Sequence, residues 1–155
     1  MRARWPAFAI LSLLVLLAAP LGAEELVVIV HPERAAPLSI EQLAQIYLKQ
    51  RRYWPSGEGI QPVNRESESR EREAFAGAVF MDTSQQLTVY WNRQYFLGVL
   101  PPATLASDQA VKAYVAREKR AIGYIRASAV DDSVRVALRL PEHAAAAGKG
   151  PPRAR

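Results

Sequence analysis

Leu26-Val27-Val28-Ile29-Val30 constrains this chain most. Every residue of the run is apolar and four of the five are β-branched, with no polar residue alternating between them. A strand that exposes one face to water alternates; one that does not must be covered on both faces. The run therefore predicts a central strand with helices packed above and below it, and its composition is that of a parallel sheet. His31-Pro32 ends it, the histidine reading as a surface or hydrogen-bonded residue. The chain has no cysteine, so no disulfide supplements the core that these layers form.

The remaining elements follow from capping and periodicity. Ser39 and Gln42 stand at capping-box spacing, with Leu38 and Leu43 as a hydrophobic staple, and Ile40, Leu43, Ala44 and Tyr47 repeat on one helical face. Lys49-Gln50-Arg51-Arg52 reads as a solvated C-terminal turn and Pro55-Ser56-Gly57-Glu58-Gly59 as a loop. Ile60–Val63 is a second strand, followed by a helix from about Ser69 to Phe80. Thr83 and Gln86 are again at capping-box spacing, and Leu87, Tyr90, Trp91 and Tyr95 form the expected buried face of the next helix. Pro101-Pro102 breaks the chain, Ser107-Asp108 opens a helix carrying Val111, Tyr114 and Val115, and Ala121–Ile125 and Val134–Leu138 read as strands. Gly123 inside a strand marks a close backbone approach. The fold class is α/β, a three-layer sheet with flanking helices.

Arg2 and Arg4, the apolar run Ala7–Ala19 and the small residues before Glu24 have the layout of a secretory signal peptide over residues 1–23. The run is short of the roughly 20 residues that span a bilayer. Residues 24–142 are then the folded domain, and 143–155, rich in alanine, glycine, proline and basic residues, a disordered tail. Met1–Ala23 holds two arginines and no acid, so its removal takes the formal charge from +5 to +3. That mild balance in an exported, periplasmic protein argues against nucleic acid as a partner.

Catalytic chemistry has little to work with. There is no cysteine, His31 and His143 are the two histidines, and no His/Asp/Glu spacing resembles a metal site. The expectation is a protein that is not an enzyme and uses no metal or cofactor. The stretch with chemical potential is Gln61–Phe75, where an apolar approach gives way to hydroxyl-bearing and charged residues and then to a helix. A helix N-terminus offers unpaired N–H groups and a positive dipole end. Ser67 or Ser69 can cap it, and Arg65, Arg70 and Arg72 can give charge to an oxyanion. A capped, salt-bridged first turn is the alternative. Asn64–Glu73 holds three arginines and four glutamates, and the glutamates compete for those arginines.

Read together, Leu38–Leu48, Tyr53–Gly57, Ile60–Arg65, Tyr90-Trp91, Phe96-Leu97-Gly98, Pro101-Pro102, Ser107-Asp108 and Ala121–Tyr124 resemble, in order, the phosphate-binding proteins of ABC transporters and in particular their short, PstS-like relatives. The resemblance implies one lobe of a type 2 periplasmic-binding-protein fold. It places the family's phosphate-binding arginine on Arg65 and its serine on Ser69, with Phe75 in the core behind them. It puts Ser67 where the family has an aspartate, Glu68 for a glycine and Glu71 for a threonine, while Arg72 matches an arginine of the short relatives. The implied oxyanion ligands are Arg65, Ser67, Ser69 and Arg72, with Asn64 and Arg70 as further candidates. The implied role is binding of phosphate or a similar oxyanion in uptake or sensing. The competing expectation is a ligand-free module that docks on a membrane transporter or sensor.

Overall fold

The computed structural model describes residues 24–34 and 37–141. The signal peptide and the tail read from the sequence lie outside these residues. β1 (Leu26–Val30) is a central strand between β4 (Ala121–Arg126) and β5 (Arg135–Arg139), in a five-stranded sheet of order β3-β2-β4-β1-β5. β2 (Gln61–Arg65) and β3 (Ala103–Leu105) complete it. All five residues of β1 are buried. Its direction corrects the sequence reading: β1 runs antiparallel to both β4 and β5, whereas β2 is parallel to β3 and β4. An unbroken apolar run reports that both faces are covered and is silent about which way the neighbours run.

Alternate residues of β1 serve different layers. Val28 and Val30, with Ile122 and Tyr124 of β4, pack against α1 (Ile40–Tyr47) and α2 (Arg70–Phe80) through Leu43, Ile46, Phe75 and Val79. Val27 and Ile29, with Val63 and Ile125, pack against Val111 and Val115 of α4 (Asp108–Arg117). The result is a three-layer α/β lobe, as the helical periodicity predicts. Pro62, buried within β2, is tolerated because pairing with β3 begins only at Val63.

The helix starts follow their capping residues. Ser39 and Gln42 form both halves of the box, each bond 3.2 Å, above the buried Leu38 and Leu43. Ser69, not the exposed Ser67, caps α2, and Ser107 caps α4. At α3 (Ser84–Phe96) only one half of the box forms: the Gln86 N–H donates to Thr83 Oγ1, while the Thr83 N–H turns to Asp82 Oδ1 at 2.8 Å. α3 also departs from its expected burial. Trp91 is buried, Leu87 and Tyr90 are half-buried, and Tyr95 is 63% exposed. The helix carries apolar residues all round, so periodicity could not say which side meets the body; Val89 and Phe96 face outward as well.

Gly123 of β4 sits where a Cβ would lie 2.5 Å from Val111 Cγ1 and 3.0 Å from Val63 Cγ2. Both contacts are stiff β-branched side chains of a packed layer, so neither yields cheaply. Gly123→Ala is expected to lower stability by about 1–3 kcal/mol, read as a fall in the urea midpoint at unchanged slope.

Candidate functional site at the end of strand β2

Beyond Pro62, β2 leaves its ladder with β4, and tyrosine hydroxyls bridge the gap. The Tyr47 hydroxyl donates to the Val63 carbonyl at 2.9 Å. The Tyr124 hydroxyl donates to Asn64 Oδ1 and accepts from the Arg65 N–H at 3.2 Å. Phe75 stacks on Tyr124 with ring centroids 4.0 Å apart, and Tyr47 leans on Phe75 at 4.6 Å. Burial pushes the phenols of Tyr47 and Tyr124 above their ordinary value, because a phenolate there would be poorly solvated. This rigid aromatic backing fixes Asn64 and Arg65 at the sheet's end.

Arg65 is 7% exposed, and its charge is already matched. Its guanidinium forms a close ion pair with Asp108 Oδ1, donates to the Ala106 carbonyl at 3.3 Å and lies 3.7 Å from Glu71. Arg126, at the end of β4, donates through Nε to Asp108 Oδ2 at 2.5 Å, lies 3.7 Å from Glu71 and reaches Glu24 at 3.1 Å. Asp108 is the first residue of α4, where the helix dipole favours a negative charge. Two guanidinium groups thus face two carboxylates, with Glu24 at the rim. Within this cluster Arg65 Nε is buried without a hydrogen-bond acceptor.

The other sequence candidates fall around this cluster with different duties. Asn64 is buried and occupied by Tyr124. Arg72 is buried and donates to the Arg65 carbonyl at 2.9 Å, so it secures the strand end. Ser69 is spent on the Arg72 N–H as the helix cap, while Ser67 and Arg70 are exposed. The structure therefore brings Asn64, Arg65, Ser69 and Arg72 together and leaves Ser67 and Arg70 at the surface. Asp108 and Arg126 complete the site; sequence reasoning quoted Asp108 only as part of a helix start and of the family resemblance, and passed over Arg126. The cavity among Tyr47, Asn64, Arg72, Phe75, Leu87 and Trp91 is about 10 Å³, the space of a single water. A larger surface cleft of about 380 Å³, beside His31, Arg34, Trp54, Glu58 and Lys119, lies at the opposite end of the sheet.

Two outcomes follow from this geometry. Asp108→Ala strands the buried Arg65 charge and is expected to cost about 3 kcal/mol, whereas Arg126→Ala, at the exposed side, costs under about 1 kcal/mol; chemical denaturation of the two variants measures the contrast. The phenols give a pH dependence. In the unfolded chain Tyr47 and Tyr124 ionise near 10.0, and in the fold only above it, so the native state keeps its protons longer. Stability is then full below pH 10 and falls as pH rises beyond it. Phenolate absorbance should show these two tyrosines ionising together with unfolding, after the exposed ones.

A family model described as a PBP superfamily domain, PBP_like_2, matches residues 15–146. Among solved structures, the chain is similar to an ABC-type phosphate transport receptor from Vibrio cholerae, with 24% identity and a TM-score of 0.59 over 73% of this chain and 45% of that one. A Clostridium perfringens protein assigned as a phosphate ABC transporter substrate-binding protein, with phosphate bound, gives 27% identity and a TM-score of 0.59 over 73% of this chain and 44% of that one. PstS from Borrelia burgdorferi gives 18% identity and a TM-score of 0.51 over 66% of this chain and 40% of that one. The chain thus spans less than half the length of these solved relatives. No curated protein matches it. The α/β lobe of the structure and the family match over residues 15–146 agree: the chain belongs to the PBP superfamily domain family.

Proposed function

We propose that this chain is an exported, periplasmic, non-enzymatic module of the solute-binding class that serves phosphate uptake or sensing by docking on a membrane transport or sensor component, without carrying the anion itself. One observation carries the reading: Asp108 and Glu71 hold the charge of Arg65 that an oxyanion would need. A charge-assisted hydrogen bond is worth about 1.5–3 kcal/mol net. Phosphate entering here would exchange one such set of bonds for another while displacing a buried carboxylate, so little is left to drive binding. The adjoining cavity offers the anion no room. The match spans less than half the length of the solved relatives, and tight capture calls for more water-excluding contact than this one strand-to-helix junction supplies.

A second reading has its own support. The Clostridium perfringens relative holds phosphate, and Arg65 Nε is buried without an acceptor. On that reading phosphate or a similar oxyanion is held by Arg65, Ser67, Ser69 and Arg72, with Asn64 and Arg70 alongside, once Asp108 swings away. Calorimetric titration of the full chain with phosphate, sulfate and acetate separates the two. The docking reading expects no heat up to millimolar anion. Phosphate heat with a Kd below about 1 mM, abolished in Arg65→Ala, would replace it with the second.

A further inference from the structure

Among the described residues, four of the eight exposed large hydrophobic side chains lie at or just beyond the C-terminal end of α3. Tyr95, Phe96 and Leu97 are 63%, 87% and 71% exposed, and Leu100, just beyond, is 65% exposed. The end is well formed: the Gly98 N–H donates to the Tyr95 carbonyl and the Val99 N–H to the Gln94 carbonyl, with Gly98 at φ +78°. Successive helical residues are turned by about 100°, so Tyr95, Phe96 and Leu97 together cover about 200° of the helix end. A flat protein partner covers one side of such a tip. A medium that surrounds it covers all of it.

The charge around the tip is one-sided. Residues 83–107 contain no acidic residue and a single charge, Arg93. Tyr90 donates to the Leu48 carbonyl at 3.3 Å, which sets the turn Lys49–Arg52 against the middle of α3. Among the described residues, Lys49, Arg51, Arg52 and Arg93 pair with no carboxylate, as is also true of Arg70, Arg72, Arg117 and Arg135 elsewhere on the lobe. Burial, and to a lesser extent the neighbouring Arg52, lower the pKa of Lys49. Exposed apolar and aromatic side chains at a helix end, with unpaired cations on the same helix and on the turn held at its middle, are what an anionic bilayer surface complements: acyl chains take the tip and headgroups the cations.

We propose that the α3 tip, Tyr95-Phe96-Leu97 with Leu100, inserts into the interface of an anionic lipid bilayer, held there by Arg93 and the Lys49–Arg52 turn. This goes beyond the docking function in naming lipid itself as a contact, and it stands whether or not phosphate binds.

The chain has no cysteine, so a single Leu97→Cys carries a polarity-sensitive fluorophore on the full chain, with Ser67→Cys as an exposed control. Vesicles of equal parts phosphatidylglycerol and phosphatidylcholine should blue-shift the label at 97 and leave the label at 67 unchanged. Phosphatidylcholine alone should give little shift, and Arg52→Glu with Arg93→Glu should weaken the response at least tenfold, since each cation near an anionic surface is worth about fivefold. Because the label reports position 97 itself, lipid contact through the apolar run Ala7–Ala19 does not mimic the result. A label at 97 that stays in water while the chain is vesicle-bound overturns the proposal. A shift that needs no vesicles and grows with chain concentration overturns it too, and assigns the tip to a second copy.

Discussion

The Asp108 carboxylate, held between Arg65 and Arg126, joins the three pieces of chain that meet at one end of the sheet. Arg65 closes β2, Asp108 opens α4, and Arg126 closes β4, so one anion sets the spacing of two strand ends and a helix start. Such a pair is costly to desolvate and more costly to break from one side. Its value is specificity of arrangement: with Asp108 in place, Arg65 points along the sheet end and its carbonyl is free to receive Arg72. The tyrosine hydroxyls on the other side of β2 complete the fixation.

That internal balance is also what divides the two functional readings. A helix start, a strand-end arginine and capping serines are the ingredients of an anion cradle, and they stand together here. The same groups are satisfied by their neighbours, with Ser69 on a backbone N–H and Arg72 on a backbone carbonyl. A polar cluster that is fully paired makes a rigid joint. Among the buried side-chain atoms of the described residues, Arg65 Nε is the exception, with no hydrogen-bond partner.

Much of the architecture was legible because it is encoded locally. Ser39, Ser69, Thr83 and Ser107 cap the helices they precede, and Gly123 marks the strand that two valines crowd. The direction of β1 was not legible, since its apolar run reports burial and nothing about neighbours. Nor was the outward face of α3, because a helix apolar on every side gives no phase to read. The closest partner of Arg65 lies 43 residues away, and of the nearer glutamates of the junction Glu71 approaches it at 3.7 Å. Only tertiary register decides between carboxylates at such separations. Of the candidate ligands, the sequence gathered Asn64, Arg65, Ser69 and Arg72 because they span one strand-to-helix turn.

The two rims of the sheet carry a further consequence. On one side β3 is three residues long and follows Pro101-Pro102, and a proline offers no N–H to a visiting strand. On the other, β5 bears exposed Arg135 and Arg139 and is irregularly paired with β1 at Val28/Ile29. Backbone-to-backbone extension of the sheet into a neighbouring molecule is thereby discouraged at both rims. Whatever this lobe associates with, it meets through side chains, and crowding in a concentrated compartment should not drive it toward fibres.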